Sequence, residues 1–350
     1  VSDVLLRGNL HTRDGVILGE FALEAGERFD VRELLRGQAN MRSLGLFDSV
    51  SVEAVGLDEG AAAREQAEAA LIVSVEEGDY EFVDFSFGLQ GRDLLNNNTR
   101  RRLLLVGEAE YNNRNLWGLA QRLQPRALAA VDLLQLNALT TGLGTGTLEA
   151  PEAVERVDYL IGLELVYNQP RFLKRWVGVD RLLLTVAPYF LRDLLGVTNN
   201  NLLREEIGAR AEVRKDLSDL LARLLVAGGL EGKLVTTREI ESVAFTPEGE
   251  RLFAPRRTVG KFFIDTSWDR RDSPLNPTRG FFLQFSPQWV SGDALGQGAG
   301  DALADSFLRM TLAASGYLDL GADVVFAQSL RFGQIVRLFG RQTPVPPDER

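Results

Sequence analysis

Cysteine is absent from the chain, and His11 is its one histidine. No disulfide, thiolate metal site, iron–sulfur ligation or cysteine nucleophile can therefore be built, and a triad or His-rich metal site lacks its usual members. No Gly-x-Ser-x-Gly elbow occurs, and the glycine-bearing stretch Gly228–Lys233 lacks both the first glycine spacing and the hydroxyl of a phosphate loop. These gaps set catalysis, metals and cofactors aside. Positive charge is in deficit, with 39 Lys and Arg against 49 Asp and Glu, which disfavours a protein that tracks phosphate backbones, so no nucleic-acid partner is expected. Long apolar runs are also missing: the stretch from Leu182 to Leu191 is broken by Thr185 and Pro188, too short for a membrane helix. A membrane β-barrel is untouched by that exclusion, because its strands alternate lipid-facing and lumen-facing residues and average to near-neutral hydropathy.

What is present divides into two patterns. Residues 1–77 read as a small α+β domain in the order β-α-α-β-β. Its strands fall at Val4–Leu6, Val50–Val55 and Leu71–Glu76, and its helices run from about Thr12 to Leu23 and from Val31 to Leu44. Asp30 followed by Glu33 is a capping pattern: one carboxylate accepts an orphan amide of the second helix and the other reaches back. Gly8, Gly15 and Gly26 punctuate turns, and the Ala/Glu-rich segment Glu59–Glu68 reads as a solvated loop.

Residues 78–350 alternate with period two. Tyr159, Ile161, Leu163, Leu165 and Tyr167 share one face; Arg204, Glu206, Gly208, Arg210, Glu212 and Arg214 oppose Leu203, Ile207, Ala209, Ala211 and Val213. About eleven such strands can be counted. Long polar or Gly-rich connections (Arg92–Arg101, Gly142–Arg156, Arg192–Asn201, Thr236–Arg257, Gly292–Asp305) alternate with short turns (Asn112–Trp117, Asn168–Lys174, Lys215–Asp219, Arg270–Thr278, Asp319–Asp323). Long loops on one side and short turns on the other fit an outer-membrane barrel. A soluble β-sandwich or propeller would also alternate, but its exposed face should carry more charge. Tyr111, Trp117, Tyr167, Trp176, Tyr189, Trp268, Trp289 and Tyr317 are expected near strand ends, at the level of the lipid headgroups.

Particular residues carry a resemblance. Arg7-Gly8-Asn9, Gly26 with Phe29-Asp30, and Leu44-Gly45-Leu46-Phe47 resemble a POTRA domain, the periplasmic module of outer-membrane assembly barrels; its motif positions here are Gly8, Asn9, Gly26, Phe29, Leu46 and Phe47. The segment FFIDTSWDRRDSPLNPTRGFFLQFSPQWVSG resembles the Asp-x-Arg-Asp, Asn-Pro-Thr-x-Gly hairpin of the BamA/TamA family, a bacterial surface antigen type of barrel, through Asp269, Arg271, Asp272, Pro277 and Gly280. Asp269 to Asp272 can cross-link a turn, Pro274 and Pro277 fix its backbone, and Gly280 eases entry to the next strand. A turn that sets register is the simpler role for these residues. The arginines at 270 and 271 already neutralise Asp265, Asp269 and Asp272 as a divalent-ion site. AEYNNRNLWG, with Tyr111, Asn115, Leu116 and Gly118, and VYNQPRFLKR, with Tyr167, Pro170 and Phe172, are further family-like pieces.

The resemblance implies a mainly β fold: an antiparallel transmembrane β-barrel, about eleven of sixteen strands present, after one POTRA domain. The start at Val1 without a signal segment, and the end at Pro344–Arg350 where the family's VRG-F/Y loop would begin, suggest a piece of a longer protein. It further implies a place in the outer membrane with the first domain in the periplasm, and the task of folding and inserting barrel proteins without nucleotide, metal or other cofactor. Its partners would be unfolded outer-membrane protein clients, outer-membrane lipid and periplasmic accessory proteins. The working element would be the first barrel strand, Asp79–Leu89, as a lateral gate: Val83, Phe85, Phe87 and Leu89 face lipid, and Asp84, Ser86 and Gly88 face inward. The main rival is a two-partner secretion translocator that exports one client; a passive porin is disfavoured by the POTRA resemblance.

Overall fold

The computed structural model describes residues 1, 3–20, 30–55, 70–93, 101–133, 159–170, 182–193, 202–218, 221–239, 256–292, 305–321 and 324–339. The chain opens with β1 (Asp3–Arg7), α1 (Asp14–Leu18), α2 (Val31–Ser43), β2 (Phe47–Val55) and β3 (Ala70–Glu77). These strands form a three-stranded sheet in the order β1-β3-β2, with β1 parallel and β2 antiparallel to β3. A parallel neighbour requires a crossover, and the two helices supply it. Apolar alternation on β3 buries Leu71, Val73 and Val75, and Val73 and Val75 pack with Ile17 of α1, Met41 of α2 and Val50 of β2.

Helix α2 is capped as its sequence suggests at one residue and not at the other. The Asp30 carboxylate accepts from the Arg32 amide at 2.8 Å, whereas Glu33 lies 3.8 Å from the Arg36 guanidinium, one turn on. Gly45, at φ 65°, ends the helix in the left-handed region, its amide bonded to the Arg42 carbonyl at 3.2 Å. Helix α1 starts two residues later than expected and ends at Leu18; the expected end at Leu23 and the loop Glu59–Glu68 lie outside the described residues. Strand β2 begins at Phe47, three residues earlier than alternation suggests, because Leu46 and Phe47 are drawn inward as core.

Eleven strands follow: β4 (Glu81–Asp93), β5 (Arg101–Leu116), β6 (Gln121–Asp132), β7 (Tyr159–Gln169), β8 (Leu182–Asp193), β9 (Leu202–Asp216), β10 (Leu224–Glu239), β11 (Arg256–Asp269), β12 (Gly280–Gly292), β13 (Asp305–Gly321) and β14 (Val324–Phe339). Each is hydrogen-bonded to its sequence neighbours in one sheet, ordered from β4 at one end to β14 at the other. All pairs from β8–β9 to β13–β14 are antiparallel. No helix among the described residues is long and apolar enough to cross a membrane; the strands, at 11 to 17 residues, each reach or exceed the ~9–11 that a tilted strand needs.

Turn placement differs from expectation at two points. Asn112 to Leu116 are strand, and the turn is Trp117–Ala120; the asparagine side chains are instead buried, and those of Asn113 and Asn115 make hydrogen bonds of their own. Tyr189 lies near the middle of β8, where its hydroxyl bonds Glu231 at 2.9 Å, so it is an inner-face partner and not a belt residue. Tyr111 likewise sits inside β5, while Trp176 and most of the long connections lie outside the described residues.

Candidate functional site

Strand β4 terminates the large sheet and has one strand neighbour, β5, among the described residues. A strand that ends a sheet is the kind of element that recruits another strand. Val83, Phe85, Phe87 and Leu89 lie on one face and are strongly exposed, Phe85 at 68% and Phe87 at 80%. Asp84, Ser86 and Gly88 lie on the other face, also exposed. Asp79 and Tyr80, expected within the strand, belong to the link from β3. Opposite Phe87, Gly107 of β5 leaves room for the ring, at 3.5 Å from where a Cβ would stand.

The turn between β11 and β12 is built from its own charges. Arg271 grips Asp269 with two guanidinium nitrogens at 2.9 and 2.8 Å and with its amide at 3.0 Å. Asp272 accepts from the Thr278 hydroxyl at 2.5 Å and from the amides of Ser273, Thr278 and Arg279 at 2.9 to 3.1 Å; led by the hydroxyl, these donors hold its carboxyl well below the usual carboxylate range. The side chain of Arg270 is exposed, and it joins the turn through its backbone, which bonds the Phe281 carbonyl at 2.8 Å. Gly280, at φ 100°, sits where a Cβ would overlap the Arg270 carbonyl, so no other residue fits. Pro277 is half-buried in the same turn. The turn is stitched on both sides, by Arg223 to the Arg271 carbonyl at 2.9 Å and by Arg279 to Asp319 at 2.9 Å. Asp269 and Asp272 are consumed by these bonds, and among the described residues no acidic cluster is placed to hold a metal ion.

In the small domain, Gly8 at φ 92° lies where a Cβ would overlap the Val75 carbonyl, and the Asn9 amide bonds Asp14 at 2.6 Å and the Thr12 carbonyl at 3.1 Å. Leu46 is buried with Val16 and Ala120, and Phe47 bridges this cluster to the domain core. Gly26 and Phe29 lie outside the described residues. One compact unit takes in residues 1–84, 110–124 and 167–169, so this domain and the β5–β6 turn form a single body. Within it the Arg13 amide bonds the Gly118 carbonyl at 2.9 Å, and the Arg13 side chain bonds the Trp117 carbonyl at 3.2 Å. Gly118, at φ 71°, could bear no Cβ without striking the His11 carbonyl.

Two residues at the centre of that body escape sequence reasoning. Thr12 is buried and accepts from the Asn115 amide at 2.9 Å. Glu77 accepts from the Thr12 amide at 2.7 Å and the His11 amide at 3.0 Å; burial raises its pKa, but the hydrogen bonds from Thr12 and His11 outweigh it and hold the carboxyl below the ordinary range. The pairing spans 65 residues of sequence, and neither type at either position signals the other.

The inner face of β8 to β11 is charged. Glu212 takes Arg210 at 2.6 Å and Arg214 at 2.9 Å, Glu206 takes Arg204 and, at 3.8 Å, Lys233, and Glu231 takes the Tyr189 hydroxyl at 2.9 Å and Lys261 at 3.8 Å. Glu206, Glu212 and Lys233 are buried. Ion pairs withdrawn from bulk water need such partners. Cross-strand glycines receive aromatic rings on the same sheet, Gly208 facing Tyr189 and Gly229 facing Phe263.

Comparison with known proteins matches these two regions separately. Residues 1–78 match the POTRA family, described as a surface antigen variable number repeat, and residues 256–350 match the Omp85 superfamily domain. Among solved structures, BamA from Haemophilus ducreyi lacking POTRA domains 1–3 is similar in fold, at TM-score 0.65 and 13% identity. That likeness covers 98% of this chain and 56% of the other, so the chain spans little more than half its length. CdiB from Acinetobacter baumannii is a more distant likeness, at TM-score 0.48 and 11% identity over 96% of this chain and 52% of that one. No curated protein matches the chain by sequence. A POTRA match leading into an antiparallel strand run whose last part matches the Omp85 superfamily domain is an outer-membrane arrangement with its first domain in the periplasm, and the fold is similar to that of BamA.

Proposed function

We propose that the protein assists the folding and insertion of β-barrel proteins into the outer membrane, with β4 as the lateral gate. The observation that supports this reading most is the two-faced chemistry of β4, the first strand of the large sheet, apolar on one face through Val83, Phe85 and Phe87 and polar or bare on the other through Asp84, Ser86 and Gly88. An incoming strand can add to that strand by main-chain hydrogen bonding while its side chains enter lipid on one side and the lumen on the other. The free energy comes from closing the client's own backbone hydrogen bonds in a medium that offers none, so neither nucleotide nor metal is needed. Partners are unfolded outer-membrane protein clients, membrane lipid and periplasmic accessory proteins that meet the POTRA domain, whose boundary with the barrel we place after residue 77.

Reconstitution of the full-length protein in liposomes tests this. It should accelerate folding of an unrelated urea-denatured outer-membrane barrel, and Phe85→Pro, which breaks the edge ladder, should abolish the acceleration. No acceleration, together with selective export of one partner protein, would assign the chain to the secretion translocators instead.

A further inference from the structure

The apolar face of the large sheet runs right up to one pair of turns. On β11 and β12 it ends at Trp268 and Phe281, whose rings meet edge-on at 5.0 Å, and the β11–β12 turn starts at Arg270, directly after β11. Leu224, opposite Trp268, opens β10 directly after the β9–β10 turn. Successive strands run antiparallel, so both turns lie at the end of the sheet from which β4 starts. An aromatic pair at strand ends marks the headgroup level, and these turns therefore stand among the headgroups of the periplasmic leaflet. Strands β9 to β12 each have a neighbour on both sides, so the exposure of their turns is not set by an edge of the sheet.

Hydrogen bonds tie the two turns into one surface: the Asp269 amide donates to the Arg223 carbonyl at 3.2 Å, and the Arg223 guanidinium donates to the Arg271 carbonyl at 2.9 Å. These bonds hold Arg223 at φ 57°, an uncommon conformation for a residue with a Cβ. Leu275 is 90% exposed, next to the exposed Pro274, and Leu221 is exposed beside Arg223. An exposed leucine alone means little, but at headgroup level and flanked by cations it can enter the acyl boundary while the cations meet phosphates. The nearby carboxylates are already spent, Asp269 on Arg271, Asp272 on Thr278 and three amides, and Asp319 on Arg279. Among the described residues the Arg270 side chain has no hydrogen-bond partner and that of Arg223 bonds a neutral carbonyl, so both keep donors for an anion.

We propose that Arg223 and Arg270 bind the phosphate of one anionic phospholipid of the periplasmic leaflet, with Leu221 and Leu275 entering the acyl boundary beside it. The phosphate diester offers its unesterified oxygens to the two guanidinium groups, whose planar forks present paired donors to such an anion. A zwitterionic headgroup carries its own cation and gains less from the same arginines, so the site prefers phosphatidylglycerol to phosphatidylcholine. A phosphate shared between the β9–β10 and β11–β12 turns adds to the stitch that Arg223 already makes. The site is independent of whether the protein assembles barrels or exports a client.

Native mass spectrometry of the full-length protein, released from non-ionic detergent after titration with phosphatidylglycerol or phosphatidylcholine, tests this by counting the lipids each molecule retains. The parent should retain phosphatidylglycerol preferentially. Arg270→Gln should weaken that retention about fivefold, and adding Arg223→Gln should weaken it by about the same factor again, with phosphatidylcholine unaffected. Leu275→Asn should weaken both lipids alike, by about threefold. Arg7→Gln combined with Arg32→Gln removes equal charge from the small domain and should change neither. If the Arg223 variant fails to fold, judged by loss of heat-modifiable migration, Arg270→Gln alone decides, because that side chain bonds nothing in the described fold. Equal retention of the two lipids by the parent, an indifferent Arg270→Gln variant, or an equal loss in the small-domain control would overturn the proposal. Glycerol phosphate at matched concentration should leave the bound lipid in place; its displacement would assign the arginines to a soluble phosphate compound and overturn the lipid site.

Discussion

The three-stranded and eleven-stranded sheets share one period of side-chain alternation and use it in opposite senses. In the small domain the buried residues are apolar, Ile17, Met41, Leu71 and Val73, and the strands β1 and β2 expose charge. In the large sheet Glu206, Glu212 and Lys233 are buried while Phe85, Leu230 and Leu330 are exposed. Burial in the first follows the ordinary water rule; in the second the exposed face is the one that suits lipid. The difference teaches that alternation reports where a sheet has two faces, and only the chemistry of each face reports which solvent it meets.

The comparison breaks most visibly at the small domain's core. Val73→Asp places an unpaired carboxylate among Ile17, Met41 and Val50 and should cost about 4 kcal/mol or more, enough to unfold the domain, as urea titration would show. Leu230→Lys on the exposed face of β10, where Leu230 is 61% accessible, reads the other solvent. It should cost about 2–4 kcal/mol in bilayers and little in a soluble sheet. A cost that did not change between lipid and a water-exposed state would undo the lipid assignment of that face. On the inner face, Glu212→Ala removes the partner of Arg210 and Arg214, whose side chains are 43% and 52% accessible, and should cost about 1 kcal/mol, a coupling that a multiple-mutant cycle measures.

How much of this was legible in sequence follows from the range of the interactions. Alternation in Tyr159–Tyr167 and in Leu202–Asp216 is local, and it suffices to find strands; the Asp269–Arg271 pair and Gly280 are local too, and the turn is readable from its own residues. Asparagines at 112, 113 and 115 mislead because their turn preference is overridden by burial and, for Asn113 and Asn115, by partners elsewhere in the chain, Glu81 and Thr12. Tyr189 misleads because a ring at a strand end and a ring over a cross-strand glycine look alike until the register with Gly208 is known. The hold on the start of β4 is invisible for the same reason: nothing in its own sequence records that Asn113 holds Glu81.

Two local effects compare a crowded turn glycine with an uncrowded strand glycine. Gly118→Ala forces a Cβ onto the His11 carbonyl at a left-handed position and should cost about 1–3 kcal/mol, reported as faster exchange at Arg13, whereas Gly88→Ala in β4, with nothing near its Cβ among the described residues, should leave exchange of β4 almost unchanged.

The smallest effect is a titration. Glu77 has its carboxyl held below the ordinary value near 4.5 by the donors of Thr12 and His11, so its contribution is fully present above that value. It is lost as pH falls through the lower value of the folded protein, because protonation then removes the acceptor that the folded state favours. The matching variant is Glu77→Gln, which keeps the size and removes the charge. Protection of the His11 and Thr12 amides should be several-fold higher in the parent than in the variant at pH 6, and the two should converge as pH falls past the ordinary carboxyl value and through the lower one of the folded protein. Exchange at Phe85 to Leu89 should show no such convergence, since no donor to Glu77 lies on that stretch of β4. Convergence at both stretches would mean that acid loosens β4 as a whole and not the Glu77 contacts alone.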